Sequence, residues 1–170
     1  MDFKSFIRDV PNFPKEGVIF KDITLLLQNP EMLKQTAEAL AQLLSDQKID
    51  KVVGMESRGF IFGPILASKL NAGFVPIRKP GKLPSTTLSE TYDLEYGTDT
   101  LEIHTDSITK GDRVLIHDDV LATGGTASAA CKLVEKLGGT IVQCNFLIEL
   151  SFLEGVSKIA DYQVKSLLTY

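Results

Sequence analysis

Residues 114–128, VLIHDDVLATGGTAS, decide the fold of this chain. They begin with a short apolar run, residues 114–116, which is typical of a strand buried in a parallel sheet. Asp118 and Asp119 follow, where we expect that strand to end at its carboxyl edge. Because ligands of open α/β sheets bind at this edge, both acids are expected to face a crevice.

A turn of small and hydroxyl-bearing residues comes next, and its composition favours anion binding. Glycine lets backbone N–H groups approach an anion closely, and two threonine hydroxyls add donors. A helix is predicted to follow from Ala127, and the positive end of its dipole would add to the site. A plain βα turn that needs glycine only for geometry is the alternative, but the preceding acids favour a ligand. The predicted phosphate-binding residues are Ala122, Thr123, Gly124, Gly125 and Thr126.

Helical and strand patterns alternate through the rest of the chain, which predicts an α/β fold. The sheet is expected to be twisted and mainly parallel, with helices on both faces. Pro76 indicates an edge position or a bend for the strand that contains it. The predicted strands are residues 51–55, 74–77, 113–117 and 140–150, and the other predicted helices begin at Asn29-Pro30 and at Phe60.

The pattern changes between residues 79 and 104. A stretch rich in Gly, Pro, Ser and Thr, residues 79–89, precedes two short alternating runs at residues 92–96 and 101–104. These runs predict a long loop that carries a β-hairpin. Because a long polar loop in a compact α/β domain usually has a function, we expect a flexible lid over the site.

Length and charge limit the possible functions. The 170 residues suffice for one domain with a real core, so we expect a single domain over residues 1–170. The 18 basic and 22 acidic residues give a net charge of −4, which argues against an extended nucleic-acid surface and favours a small partner.

Apolar stretches and cysteines indicate the cellular location of the chain. No apolar stretch approaches the ~20 residues of a membrane-spanning helix, and the amino end does not resemble a secretory signal. We therefore expect no membrane partner. Cys131 and Cys144, the only two cysteines, do not form a disulfide framework, so a reducing cytoplasmic location is expected.

A second glycine-flanked loop, GMESRG at residues 54–59, follows another predicted strand. It is not a nucleotide-binding P-loop, because Phe60 and Ile61 stand where that motif requires lysine and a hydroxyl residue. Considered alone, Arg58 could be a surface arginine paired with Glu56. Its position after a strand of the same sheet favours a second anion-binding loop.

The acidic pair and the TGGT turn resemble the phosphoribosyl-pyrophosphate signature of the type I phosphoribosyltransferases. The resemblance implies the fold of that family, with a small amino-terminal hood at about residues 1–28 and a hairpin lid at about residues 79–104. It also implies that Asp118 and Asp119 hydrogen-bond the ribose hydroxyls, while the turn at residues 122–126 wraps the 5′-phosphate.

Further motifs resemble the adenine-specific members of this family, and the likeness is colinear from about residue 3 to residue 150. They are VPNFPKEGVIFKDIT at residues 10–24, ESRGFIFGP at residues 56–64, RKPGKLP at residues 78–84 and LEYG at residues 94–97. The last twenty residues add little. The implied reaction displaces diphosphate from phosphoribosyl pyrophosphate by a ring nitrogen of adenine, which gives AMP.

The resemblance also assigns residues to the base and to the diphosphate. Phe20 would stack on adenine, and Lys21, where many relatives carry arginine, would make no flat guanidinium contact. A cis peptide bond is implied between Glu56 and Ser57. The implied adenine residues are Val18, Ile19, Phe20 and Lys21, and the implied diphosphate residues are Glu56, Ser57, Arg58, Arg78, Lys79 and Lys82.

In the implied reaction, positive charge develops on the ribose while negative charge develops on the departing diphosphate. The implied cofactor is Mg²⁺, held mainly by substrate phosphates and water, with no assigned protein ligand. A homodimer is implied, since the residue matching Arg78 or a neighbour can reach the partner's site. Considered alone, Glu95 could be a solvated hairpin acid and Tyr96 a packing residue. The implied catalytic residues are Glu95, Tyr96, Arg58, Asp118 and Asp119.

Two other functions stay open at this point. One is a phosphoribosyltransferase for xanthine, hypoxanthine or guanine. The other is a non-enzymatic regulator that senses the sugar donor, although such regulators carry an added DNA-binding domain and a basic face. His104 and His117 have no metal-binding or nucleophile spacing, so both are predicted to pack in strands.

Overall fold

The computed structural model describes residues 2–94 and 97–170. The chain divides into two compact units, Met1–Ala39 and Leu40–Tyr170, and the division falls inside one helix. The prediction of a single domain stays a prediction. Within the two described ranges, no helix is both long and apolar enough to cross a membrane.

The first unit is built around a two-stranded antiparallel ribbon. Val10 lies opposite Phe20 in this ribbon. The Asn29 side-chain oxygen accepts hydrogen bonds from the backbone N–H groups of Glu31 and Met32, both at 3.1 Å. These bonds satisfy two free donors at a helix start, so the predicted start at Asn29-Pro30 is confirmed. The elements are a 3-10 turn at Phe3–Phe6, β1 (Arg8–Pro11), β2 (Ile19–Asp22), α1 (Thr24–Gln28) and α2 (Pro30–Gln42).

The second unit contains a five-stranded sheet in which all neighbouring strands are parallel. Its elements are β3 (Lys51–Met55), α3 (Gly59–Lys69), β4 (Gly73–Ile77), β5 (Thr87–Asp93), β6 (Thr98–His104), β7 (Arg113–Leu121), α4 (Gly125–Lys136), β8 (Thr140–Glu149) and β9 (Val164–Thr169). The order across the sheet is β4-β3-β7-β8-β9, so the predicted edge position of the strand with Pro76 is confirmed.

Helices cover both faces of this sheet, as predicted. On one face Ile116 and Phe146 belong to the apolar core that α4 completes. The thiols of Cys131 on α4 and Cys144 on β8 lie there 3.6 Å apart, both buried. On the other face the ring of Phe62 on α3 meets the ring of buried His117 edge-on. Alternation along β7 therefore separates an apolar layer from a layer that contains polar groups.

Strands β5 and β6 form the predicted hairpin, and its base is attached to the sheet. Backbone hydrogen bonds of 2.9 and 2.7 Å join Arg78, directly after β4, to Glu102 on β6. Leu101 and Ile103 of β6 are buried in the same core as α4. The hairpin is thereby held close to the carboxyl ends of the central strands.

Three strand predictions were wrong or incomplete. Strand β7 runs to Leu121 instead of ending at residue 117, because the longer β8 continues to pair with it as far as Glu149. Strand β5 begins at Thr87 rather than at residue 92, because Thr87 pairs with His104. Strand β9 was not predicted, and it extends the sheet beside β8.

Candidate active site

The acidic pair lies where β7 extends beyond a shorter neighbour. Pairing between β3 and β7 ends at Gly54 and His117, so Asp118 and Asp119 continue past the end of β3. The acids lie inside the strand rather than after it, which corrects the expected boundary. The backbone N–H of Asp119 donates to Oδ1 of Asp118 at 2.9 Å. The two carboxylates therefore lie at the carboxyl edge of the sheet, where the sequence predicts a site.

Burial dominates the electrostatics of this pair. It raises the pKa of Asp118 well above its usual value, and the nearby charge of Asp119 adds to this shift. Burial also raises the pKa of Asp119, although the charge of Arg58 opposes it. Oδ2 of Asp119 lies 3.0 Å from Nε of Arg58. This contact lacks hydrogen-bond geometry, and Oδ2 is buried without a hydrogen-bond partner among the described residues.

The turn after β7 lines a cavity of about 80 Å³. A single water needs ~10–15 Å³ of such volume, so the cavity accommodates a larger group. Asp118 and all five predicted phosphate residues line this cavity, whereas Asp119 does not. The structure thus brings one predicted acid and the whole predicted turn together: Asp118, Ala122, Thr123, Gly124, Gly125 and Thr126.

The amino end of α4 supplies unpaired donors to this cavity. Gly124 is at the cap position with a φ of 79°, a left-handed conformation that favours glycine, and no side chain caps the helix. The first N–H groups of a helix have no partner inside it. Together with the helix dipole, these groups favour an anion at the turn.

Tyr92 is a residue of this site that the sequence reasoning missed. Its hydroxyl oxygen accepts a hydrogen bond of 3.3 Å from the Thr126 hydroxyl. It also donates one of 3.4 Å to Asp99. A Cβ added at Gly125 would lie 3.0 Å from the Tyr92 ring, so the hairpin packs directly against the turn. The inward position of Tyr92 in the alternating pattern of β5 is the only sequence signal for this contact.

The predicted diphosphate residues gather around Glu56. The carboxylate of Glu56 contacts the Arg78 guanidinium at 3.3 Å and the Lys82 ammonium at 2.5 Å. It also accepts the backbone N–H of Lys79 at 2.8 Å. Burial alone would raise the pKa of Glu56, but the contacts with Lys82 and Lys79 outweigh it and the pKa is lowered. Glu56 therefore holds the charged groups of Arg78 and Lys82 in place, whereas the Lys79 ammonium pairs with Asp99 at 2.8 Å.

The remaining two residues of the loop are Ser57 and Arg58. The peptide bond between Glu56 and Ser57 is cis, which confirms that expectation. Arg58 precedes α3, and its Nε lies 3.0 Å from Oδ2 of Asp119. The loop thus places one cation beside the acidic pair.

In the first unit, a cavity of about 190 Å³ opens on the ribbon. The rings of Phe13 and Phe20 meet edge-on there with centroids 5.2 Å apart. Of the four predicted adenine residues, only Phe20 lines this cavity; Val18, Ile19 and Lys21 do not. The lining residues are Val10, Phe13, Phe20 and Asp22.

The Lys21 side chain belongs to the other face of the ribbon. It pairs with Asp9, its partner across the strands, at 2.7 Å. Because side chains alternate along a strand, Lys21 points away from the face of Phe20. Any contact of Lys21 with a ligand in this cavity would therefore come from its backbone.

The predicted catalytic residues Glu95 and Tyr96 lie outside the described residues. The two histidines were predicted to pack in strands. His117 is buried, and its Nδ1 lies 2.8 Å from Oδ1 of Asn145. Burial lowers the pKa of His117 to about 4. His104 accepts the backbone N–H of Ser85 through Nε2 at 3.2 Å. Both histidines lie in strands, as predicted.

Comparisons with known proteins show the family of this chain. A sequence model of the phosphoribosyl transferase domain matches residues 22–168. The adenine phosphoribosyltransferase of Flavobacterium johnsoniae is 63% identical over 170 residues, which cover 100% of both chains.

Two solved structures are similar along almost the whole chain. That of adenine phosphoribosyltransferase from Thermoanaerobacter pseudethanolicus is 51% identical with a TM-score of 0.97, covering 99% of this chain and 98% of that one. The enzyme from Saccharomyces cerevisiae, complexed with adenine and an imino-altritol bisphosphate, is 44% identical with a TM-score of 0.93, covering 98% and 96%.

Proposed function

The chain belongs to the adenine phosphoribosyltransferase family and has the type I phosphoribosyltransferase fold. We propose that it transfers the phosphoribosyl group of phosphoribosyl pyrophosphate to adenine, giving AMP and diphosphate. The observation that carries this proposal is the cavity that Asp118 shares with the turn at residues 122–126. That cavity joins oxygen acceptors for sugar hydroxyls to backbone donors for a phosphate.

The turn would bind the 5′-phosphate. The unpaired N–H groups at the start of α4 and the hydroxyls of Thr123 and Thr126 are donors of the kind that a phosphate dianion requires. Gly124 and Gly125 carry no side chain that would keep the phosphate from the backbone. Thr126 now donates to Tyr92, and it would turn this hydrogen toward the phosphate.

The acidic pair would hold the ribose. Carboxylates accept hydrogen bonds from the two ring hydroxyls, and their negative charge favours the positive charge that develops on the sugar. Since burial raises the pKa of both acids, their ionised forms are poorly stabilised by the protein alone. The sugar is neutral in the ground state and becomes cationic in the transition state. The cationic sugar would stabilise the ionised acids more than the neutral sugar does, which favours the transition state.

The cations at the second loop would receive the leaving diphosphate. The bond between the anomeric carbon and a diphosphate oxygen breaks, and its electron pair leaves with the diphosphate. A bond from that carbon to a ring nitrogen of adenine forms, and the proton of that nitrogen passes to water. Arg58, Arg78, Lys79 and Lys82 supply positive charge for the departing group. The acidic pair and Glu56 hold several of these cations before the donor arrives.

Mg²⁺ is the proposed cofactor. The described residues contain no group of three or more His, Cys, Asp or Glu side chains that could hold a metal. Mg²⁺ usually keeps several waters and binds through substrate phosphates with one or two carboxylates, so this donor set fits a metal carried by the diphosphate. The acids present for it are Asp118 and Asp119, and the metal would neutralise charge on the leaving group.

The adenine site is proposed at the ribbon of the first unit. The cavity lined by Phe13 and Phe20 offers aromatic faces on which a purine can stack. Backbone groups of Val18, Ile19 and Lys21 would read the edge of the base. Such a readout separates an amine from a carbonyl, because the wrong base leaves buried polar groups unpaired.

The other features carried by the resemblance are part of this proposal. Glu95 and Tyr96 would assist at the reacting base from a lid at about residues 79–104. The hood at about residues 1–28 would belong to the same single domain. A homodimer in the cytoplasm, with no nucleic-acid or membrane partner, completes the proposed setting.

Product analysis tests the proposed function. The purified chain is incubated with phosphoribosyl pyrophosphate, Mg²⁺ and one base at a time, and the nucleotide and diphosphate are quantified. We expect AMP with adenine and far less product with hypoxanthine, guanine or xanthine. Product with xanthine but not adenine would contradict the base assignment, and no product with any base would contradict the reaction.

A further inference from the structure

The segment after β8 contacts the backbone of the phosphate turn through a single glycine. This segment forms two 3-10 turns, Ser151–Leu153 and Gly155–Ile159. A Cβ added at Gly155 would overlap the carbonyl oxygen of Ala122 and lie 3.0 Å from the backbone nitrogen of Gly124. No side chain fits between these two stretches of backbone.

The contact is reciprocal. A Cβ added at Gly124 would overlap the carbonyl oxygen of Gly155 and lie 3.1 Å from its Cα. Gly155 itself is buried. Two glycines, 31 positions apart in the sequence, therefore face each other so that the segment can lie directly on the turn. Close approach of backbones is a use for which only glycine is suited.

The segment is held firmly on both sides of Gly155. The backbone nitrogen and the hydroxyl of Ser151 both donate to the carbonyl oxygen of Tyr170, at 3.0 and 2.6 Å. Ile159 is buried in the core beside α4. The backbone N–H of Leu150 donates to the carbonyl oxygen of Leu121, the last residue of β7, at 2.9 Å. A clash at Gly155 would thus be transmitted to the turn rather than absorbed by the segment.

We propose that Gly155 is a positioning residue for the phosphate turn. It fixes the backbone of residues 122–124, and through it the N–H groups that face the 5′-phosphate, without contacting the substrate. This inference rests on the proposed function, since it assigns Gly155 to the donor site of that reaction. The sugar donor, and not the base, is the ligand whose binding depends on it.

Gly155→Ala tests the proposal. Because a displacement of about 1 Å can cost ~10²-fold in a positioned site, we expect the KM for phosphoribosyl pyrophosphate to rise roughly 10- to 100-fold. The KM for adenine at saturating donor should stay within about twofold. Calorimetry with ribose 5-phosphate, which needs no turnover, should show an equal loss of affinity.

Gly73→Ala is the matched control. The added Cβ would lie 3.2 Å from the end of the Lys51 side chain, which can move away, and 3.9 Å from the Asp50 carbonyl oxygen, which is an ordinary contact. We expect wild-type kinetics and wild-type affinity for ribose 5-phosphate. Circular dichroism and melting curves for both variants show whether each one folds.

Ser151→Ala covers the case in which Gly155→Ala does not fold. It removes the hydroxyl contact with Tyr170 while Gly155 stays, so the segment is loosened and ribose 5-phosphate affinity should fall about threefold. The proposal is overturned if folded Gly155→Ala binds ribose 5-phosphate like the wild type. It is equally overturned if that variant loses only kcat and thermal stability, or if Gly155→Ala does not fold and Ser151→Ala binds normally.

Failure of the proposed function has a different signature. Wild-type protein that binds ribose 5-phosphate in a Gly155-dependent way but makes no AMP would contradict the reaction and leave the positioning intact. Wild-type protein that makes AMP, with a Gly155→Ala variant of unchanged donor affinity, would contradict the positioning alone.

Discussion

His117 should make the folded chain sensitive to acid, and the size of the effect follows from its burial. The imidazole is fully buried, and burial lowers its pKa from 6.5 to about 4. Below pH 6.5 the unfolded chain binds a proton at this residue, whereas the folded chain does not until about pH 4. Protonation therefore favours unfolding, and the stability of the folded state falls as the pH falls through this window.

The linkage relation gives the magnitude. With one pKa unit equal to about 1.36 kcal/mol, the loss from His117 is about 2 kcal/mol at pH 5 and about 3 kcal/mol at pH 4. His117→Gln removes the titration and keeps an amide that can donate to Asn145. The free energy of unfolding is measured with urea at pH 7, 5 and 4. Its decrease should be smaller in His117→Gln than in the wild type, by about 2 kcal/mol between pH 7 and 5 and about 3 kcal/mol between pH 7 and 4.

His104→Gln is the control, because His104 is the only other histidine and is not fully buried. The His104→Gln variant shows how much of any change comes from replacing a histidine outside the core. Asp118 and Asp119 have raised pKa values, so their protonation stabilises the folded state as the pH falls. Both acids are present in all three proteins, so this contribution cancels when the free energies of unfolding are compared. If His117→Gln and the wild type lose equal free energy between pH 7 and pH 4, the imidazole is not held neutral by burial.

Three further predictions concern the donor and base sites. The double variant Asp118→Asn, Asp119→Asn should lower kcat/KM by ~10²-fold or more. Its melting temperature at pH 7 should rise, because the raised pKa values mean that the ionised acids destabilise the folded state there. A lower melting temperature would refute this. Thr123→Val should weaken ribose 5-phosphate binding by about tenfold in calorimetry and leave adenine binding unchanged. Phe20→Ala should raise the KM for adenine about tenfold, since stacking on a base contributes ~1–3 kcal/mol; an unchanged KM would remove Phe20 from the base site.

Much of the fold could be predicted because its signals are local. The apolar runs of β3 and β8, the start of α2 after Asn29 and the edge position of Pro76 all follow from residues that are neighbours in the chain. The end of β7 could not be predicted in this way. The two acids Asp118 and Asp119 interrupt its apolar pattern, so the strand is predicted to end there. Only the longer β8 gives the residues that follow partners as far as Leu121.

The candidate site shows the same division. The turn at residues 122–126 carries its own chemistry, so composition and spacing indicate a phosphate site directly. Tyr92 and Gly155 contact that turn from distant parts of the chain, through a hydroxyl and through the backbone. Neither residue differs locally from a strand tyrosine or a loop glycine, so only the tertiary structure reveals them.

The thiols of Cys131 on α4 and Cys144 on β8 can report how often these two elements separate. Cys144 and burial together raise the pKa of Cys131, and alkylating reagents attack only an accessible thiolate. Modification must therefore wait until α4 separates from β8. Since α4 begins at the phosphate turn, the labelling rate reports how often that end of the molecule opens, and a sugar phosphate bound there should lengthen the interval between openings.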